Sequence, residues 1–234
     1  MIERLLPSTV AVAETRVDSL EIELFPEEVQ SLGRAVDKRR REFTTGRACA
    51  RTALSELGVE PIAIPSGARG EPLWPPGIVG SITHCRGYCG CAVARADRVL
   101  SVGIDAETNL PLPDGVLEQV AFGPERELAG VTAQSPSTST RRDDVCLDRL
   151  LFSAKESVYK AWFPLTGAWL EFEDVELSID VPNATFVARL LVPGPAVDGT
   201  ILKEFRGRWC AENGLLCTSV ILTPITVPGE DGRP

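Results

Sequence analysis

One histidine, His84, stands in a chain of 234 residues. A single imidazole excludes any centre built on a pair of histidines. No G-x-x-x-x-G-K-[ST] stretch occurs, so the loop that cradles nucleotide phosphates in P-loop enzymes is absent. No run approaches the ~20 apolar residues of a membrane span. Residues 1–25 also lack a basic start followed by an apolar core, so the expectation is a soluble, cytoplasmic protein with no membrane partner. Basic residues are the minority: 24 Lys and Arg against 33 Asp and Glu give a net charge of −9. That balance argues against a nucleic-acid partner held through its phosphates. Low hydrophobicity is lacking too, since 44% hydrophobic side chains exclude disorder throughout and permit a sizeable core.

Seven cysteines are present, an odd number with no export signal, which favours reduced thiols over a disulfide framework. Cys85, Cys89 and Cys91 lie close to His84 and raise a zinc reading. Structural zinc takes four nitrogen or sulfur ligands, commonly as two spaced pairs. The remaining cysteines, among them Cys146, Cys210 and Cys217, are scattered, and Cys89 and Cys91 fit one face of a strand over 88–96.

The hydrophobic pattern is that of an α+β protein. One or two strands are expected in 8–25. A helix opens at Pro26 with Glu27 and Glu28 in its first turn and runs to about Gly58, with a possible break near Thr44, Thr45 and Gly46. Residues 59–80 carry prolines and glycines and read as loops around short strands. A second strand group ends in 99–104. A turn at 109–115 leads to a short helix over 116–120 and a polar loop over 133–144. The second long helix spans 148–163, with Leu151, Ala154, Val158 and Ala161 on its buried face. Strands follow at 175–179, 185–192, 206–210 and 215–222, the last closing the sheet. The expected division is an N-terminal lobe over 1–103, a C-terminal lobe over 104–223 and a disordered tail over 224–234.

Two stretches carry chemistry. In Gly103-Ile104-Asp105-Ala106-Glu107 a strand ends on two carboxylates separated by one small residue. The period of two puts Asp105 and Glu107 on one face, about 6–7 Å apart at the Cα level. That arrangement suits Mg²⁺, which takes one or two carboxylates and completes its shell with water and phosphate. A solvated exit turn is the plainer alternative. In Phe152-Ser153-Ala154-Lys155-Glu156-Ser157-Val158-Tyr159-Lys160 the helical period places Lys155 and Lys160 on either side of Glu156. An ordinary solvated helix face would look similar. The helix over 26–58 concentrates Arg34, Lys38, Arg39, Arg40, Arg41, Arg47 and Arg51, the strongest local reversal of the acidic balance.

Taken in order, Lys38 to Phe43, Gly46 to Arg51, Gly70-Glu71-Pro72, Gly80 to Cys85, Val102 to Glu107, Phe152 to Thr166 and Arg206 to Trp209 resemble the monomeric 4′-phosphopantetheinyl transferases. The resemblance implies two pseudo-twofold-related lobes, each a long helix on a small, mostly antiparallel sheet, with the ligand in the cleft between them. It implies transfer of the 4′-phosphopantetheine arm of coenzyme A to a serine of an acyl or peptidyl carrier protein. Such carriers serve polyketide, non-ribosomal peptide, siderophore or fatty-acid synthesis. Arg39, Arg47, Arg69, Gly70, Glu71, Pro72, Thr83 and His84 would then bind coenzyme A. Asp105, the Ala106 carbonyl and Glu107 would hold Mg²⁺. Lys155 and Lys160 would neutralise phosphate oxygens, and Glu156 would accept the serine proton, ligate the metal, or both. Tyr159, Phe152 and Trp169 line the pantetheine path or simply pack. Two other classes stay open: an inactive coenzyme A- or carrier-binding module, and a different Mg²⁺-dependent phosphotransferase.

Overall fold

The computed structural model describes residues 1–18, 22–128 and 145–224. The polar loop expected at 133–144 and residues 225–234 of the expected tail lie outside the described residues. Three antiparallel strands, β1 (Val10–Thr15), β2 (Ile78–Cys85) and β3 (Tyr88–Arg95), form the first sheet in the order β1-β3-β2. The second sheet has the order β4-β10-β9-β6-β5. Its strands are β4 (Ser101–Thr108), β5 (Val175–Asp180), β6 (Thr185–Leu190), β9 (Glu204–Glu212) and β10 (Leu215–Leu222), all antiparallel. A small hairpin, β7 (Ala196–Val197) with β8 (Thr200–Ile201), projects from it. The final strand β10 therefore sits between β4 and β9, not at an edge.

Each sheet carries a 20-residue helix. In the first lobe α1 (Pro26–Leu32) is followed by α2 (Asp37–Glu56). The expected single helix is broken at Gly33, whose φ of 54° ends α1, and not at 44–46. Thr44, Thr45 and Gly46 are buried where α2 meets β2: Thr45 donates back to the Arg41 carbonyl at 2.9 Å, which satisfies its hydroxyl inside the helix. Beneath α2, Cys49, Ala50, Ala53 and Leu54 pack on Cys89, Cys91 and Val93 of β3. Cys89 and Cys91 are thus core side chains, and none of the seven cysteines forms a disulfide.

A short α3 (Leu117–Val120) precedes the second long helix, α4 (Leu147–Thr166), which includes Pro164 in its last turn and ends at Gly167 with φ of 64°. Leu151, Ala154, Val158 and Ala161 are fully buried against Phe186, Ala188, Phe205, Leu216 and Val220. β3 is buried along nearly its whole length because α2 covers one face and a third cluster covers the other. That cluster joins Tyr88, Ala92 and Ala94 to Val102, Ile104, Ala106, Leu215 and Cys217, and so forms the seam between the lobes. β4 belongs entirely to the second sheet, so the change of sheet falls between Arg95 and Ser101.

Candidate active site

The alternation of β4 decides which residues meet α4. Val102, Ile104 and Ala106 enter the seam, while Ser101, Gly103, Asp105 and Glu107 turn toward the helix. Gly103 permits the approach: a Cβ there would lie 1.9 Å from the Ser157 carbonyl oxygen. The Ser101 hydroxyl donates to the Ala161 carbonyl at 2.6 Å, fixing the helix on the strand. Lys160 can then reach β4, donating to Asp105 Oδ1 at 2.7 Å and to the Ile104 carbonyl at 3.1 Å. Arg149, in the first turn of α4, pairs with Glu107 Oε2 at 3.1 Å.

Asp105 is only 5% exposed, and its second oxygen, Oδ2, is buried without a hydrogen-bond partner. Burial pushes the Glu107 carboxyl up to about 6, Asp105 adding to the rise and Arg149 and Lys160 opposing it. Glu156 is also raised, by burial first; the Lys160 ammonium opposes the shift and Asp105 reinforces it. Asp105 thus raises both Glu107 and Glu156 across the β4–α4 face.

In the first lobe Arg39, Glu42, Phe43, Gly46 and Arg47 of α2 line a cavity of about 140 Å³ with Ser66, Gly70, Pro72, Ile82 and His84. Arg47 is almost fully buried, donates from Nε to the Ile64 carbonyl at 2.6 Å and from Nη2 to Ser66 Oγ at 3.2 Å, and stacks on Phe43. Burial lowers its pKa to about 10, so it stays cationic at neutral pH. His84 Nε2 lies 2.9 Å from Glu42 Oε2. On β2, Ile82 and His84 face this cavity, whereas Ser81 and Thr83 face β4. Adjacent residues of β2 thus face a cavity lined by Arg39, Arg47 and His84 on one side and the acidic end of β4 on the other.

Two family models match the chain in tandem: "4'-phosphopantetheinyl transferase N-terminal domain" over residues 27–94, and "4'-phosphopantetheinyl transferase superfamily" over residues 101–213. The chain belongs to the 4′-phosphopantetheinyl transferase superfamily. It is 53% identical over 224 residues to 4'-phosphopantetheinyl transferase Svp of Streptomyces mobaraensis, covering 94% of this chain and 88% of that protein. It is 45% identical to PptT of Mycobacterium tuberculosis over 230 residues, 95% of this chain and 98% of the relative. Enterobactin synthase component D of Salmonella typhi is more distant, at 34% over 142 residues, 57% of this chain and 51% of that protein.

Within this transferase, not every residue expected at the site reaches it. Lys155 does not flank Glu156 at the surface. It is 2% exposed and donates to Glu125 Oε2, the Val120 carbonyl and the Phe172 carbonyl, each at 2.8 Å. The 100° that separates it from Glu156 carries it into the core instead of along the charged face. Thr83 likewise turns away from the cavity; its hydroxyl accepts from Ala106 N at 2.9 Å and lies 3.2 Å from Asp105 Oδ1. Ala106 is fully buried opposite Cys217 in β10. Glu71 folds back on its own turn, accepting from Arg69 N at 2.9 Å and lying over Gly67, while its neighbours Gly70 and Pro72 line the cavity. Arg69 is exposed and crosses to the second lobe, over the rings of Phe163 and Trp169. Tyr159 packs against both of those aromatics, and Phe152 against Phe172.

Sequence reasoning missed Glu42 as the partner of His84, Arg149 as the partner of Glu107 and Glu125 as the partner of Lys155. Glu42 lies in the Lys38 to Phe43 stretch, but no local spacing pairs it with His84.

Proposed function

We propose that the cleft between the two lobes transfers the 4′-phosphopantetheine arm from coenzyme A to a serine of an acyl or peptidyl carrier protein, with Mg²⁺ as cofactor. The serine oxygen forms a bond to the pantetheine-bearing phosphorus, the pyrophosphate P–O bond breaks, and adenosine 3′,5′-bisphosphate leaves with the bonding electron pair. Arg39, Arg47 and His84 supply the cationic and donor groups of the nucleotide cavity, Arg47 held ready by Ile64 and Ser66. Arg69, beside Gly70 and lying over Phe163 and Trp169, would extend that set toward the second lobe.

The observation that carries the reading is Asp105 Oδ2, a buried carboxylate oxygen lacking any partner, in a face shared with Glu107 and Glu156. Lys160 already pairs with Oδ1, but a buried carboxylate oxygen left without a donor is still costly unless a further cation or donor completes it. Among the described residues no three His, Cys, Asp or Glu side chains form a ready cage. A pair of carboxylates that leaves positions for water and phosphate is the Mg²⁺ habit, so the donor set fits. Asp105 and Glu107 would hold the ion, with the Ala106 carbonyl and Glu156 as further oxygen donors. Bound there, Mg²⁺ would supply charge neutralisation for the pyrophosphate. Lys160 is the one ammonium of its helix that reaches this face, and it takes the phosphate-neutralising role expected of Lys155 as well. Glu156, whose carboxyl burial raises against the opposing Lys160 ammonium, would accept the serine proton.

Both halves of the site come from one chain, which supports a monomer. No helix among the described residues is long and apolar enough to cross a membrane, and the reading places the enzyme in the cytoplasm with its carriers. Incubating the protein with coenzyme A, Mg²⁺ and a panel of apo-carrier proteins tests the proposal by intact mass. A mass gain of one phosphopantetheine arm on the carrier serine is expected, abolished by a chelator. Absence of the adduct on every carrier, with coenzyme A still bound, would overturn it.

A further inference from the structure

The geometry points to Thr83 as the positioning residue for Asp105, a role that rests on the metal reading proposed above. Its hydroxyl has one proton and accepting lone pairs, and both functions are used across the lobe seam. The backbone N–H of Ala106 donates to Thr83 Oγ1 at 2.9 Å, so the Thr83 proton is free for Asp105 Oδ1 at 3.2 Å. Lys160 Nζ occupies the same Oδ1 at 2.7 Å. With Oδ1 engaged twice and Oδ2 not at all, the carboxylate is fixed in rotation and presents one defined oxygen.

Ser81, two residues earlier on β2, accepts from Ile104 N at 3.2 Å in the same way. Side-chain hydroxyls of one lobe thus replace the missing strand partner along the outer edge of β4. Thr83 differs from Ser81 in also touching the side chain of the residue just before the N–H it caps, Asp105 before Ala106. Its neighbour His84 faces the nucleotide cavity, so β2 sets the spacing between the phosphate-binding groups and the carboxylate. A Thr83 hydroxyl committed in this way is not available as a direct coenzyme A ligand.

The test compares Thr83→Val, which keeps the shape without the hydroxyl, with Thr83→Ser, which keeps the hydroxyl. Thr83→Ala is carried in parallel, so that the hydroxyl comparison with Thr83→Ser survives if the valine variant does not fold. The readout is Mn²⁺ affinity at saturating coenzyme A, followed by the electron paramagnetic resonance of free Mn²⁺, alongside coenzyme A affinity in metal-free buffer. Outer hydrogen-bond partners of metal ligands typically contribute about 10–100-fold in metal affinity, so Thr83→Val and Thr83→Ala should weaken Mn²⁺ by about tenfold or more and Thr83→Ser should restore it. Metal-free coenzyme A affinity should stay unchanged in all three. In an Asp105→Asn background, Thr83→Val should add no further loss of Mn²⁺ affinity.

A parent-like Mn²⁺ affinity in the folded hydroxyl-free variants would overturn the inference. So would a loss confined to metal-free coenzyme A binding, which would make Thr83 a nucleotide ligand, and so would independent losses in the Asp105→Asn background. Failure of the unmodified protein to bind Mn²⁺ at all would instead remove the metal reading beneath it.

Discussion

Lys155 offers the sharpest separation between a structural and a chemical role, because the sequence places it in a charged motif and the fold withdraws it. Its ammonium is 2% exposed and has three oxygen acceptors at 2.8 Å, one of them the carboxylate of Glu125. Glu125 in turn accepts from Phe122 N at 2.9 Å and Leu177 N at 2.6 Å, so the pair ties α4 to the 122–125 turn and to β5. Burial lowers the Lys155 pKa and Glu125 works against that shift. Lys155→Met keeps most of the side-chain volume but leaves a buried carboxylate and two carbonyls without their donor. Removing one partner of a buried pair typically costs about 3–5 kcal/mol. Against a total stability of about 5–15 kcal/mol, that loss is a large fraction. Urea unfolding without ligand should show a midpoint displaced to much lower urea, and Lys155→Met combined with Glu125→Gln should recover part of the loss. Under conditions where the variant is fully folded, its KM for coenzyme A should match that of the parent. A variant as stable as the parent but with a raised coenzyme A KM or a rate lowered more than about tenfold would refute the reasoning and return Lys155 to the phosphates.

Asp105→Asn and Glu107→Gln should each raise the Mg²⁺ concentration needed for half-maximal transfer, measured by metal titration; an unchanged requirement in both would remove them as ligands. Glu107 has its carboxyl raised to about 6, so metal affinity of the free protein should fall as pH drops through that value, where protonation removes the ligand charge. Glu107→Gln should flatten this limb of the profile. Arg39→Ala should weaken coenzyme A far more than its 3′-dephospho form by calorimetry, whereas Arg47→Ala should also lower stability because Arg47 is bonded to Ile64 and Ser66 and stacked on Phe43. Glu156→Gln should leave coenzyme A binding intact and lower single-turnover transfer by about 10²–10⁴ if it accepts the proton. Recovery at high Mg²⁺ would make it a metal ligand, and a parent-like rate at every Mg²⁺ concentration would exclude both roles.

What the sequence made legible is what depends on local period. The apolar stripe of α4, the alternation of β4 and the shared face of Asp105 and Glu107 follow from 3.6 and 2 residues per repeat, and the fold places them accordingly. Misplaced features depend on contacts distant in sequence. Lys155 and Lys160 lie about 140° apart on the helical wheel, yet both flank Glu156, and what each one meets is set at long range: Glu125, 30 residues away, against Asp105, 55 residues away. The same limit explains Thr83: as one of two residues in a Thr-His pair it looks like a ligand, and only the packing of β4 across β2 shows its hydroxyl to be occupied. The false break at 44–46 has a related cause, since small residues that would weaken an isolated helix are needed where α2 lies against Ile82.

These errors share a direction, and it bears on how the site works. A strand with period two has only two faces, so consecutive residues must serve different neighbours. Along β2 the two neighbours are the cavity lined by Arg39 and Arg47, met by Ile82 and His84, and the edge of β4, met by Ser81 and Thr83. Along β4 they are the seam core and α4. Any shift of one lobe against the other would therefore change both the distance from His84 to Asp105 and the hydrogen bonds that orient Asp105. The hydroxyl caps on Ile104 and Ala106 resist that shift directly, because a displaced β4 would leave two buried N–H groups unpaired. Positioning for phosphoryl transfer is thereby coupled to the stability of the seam.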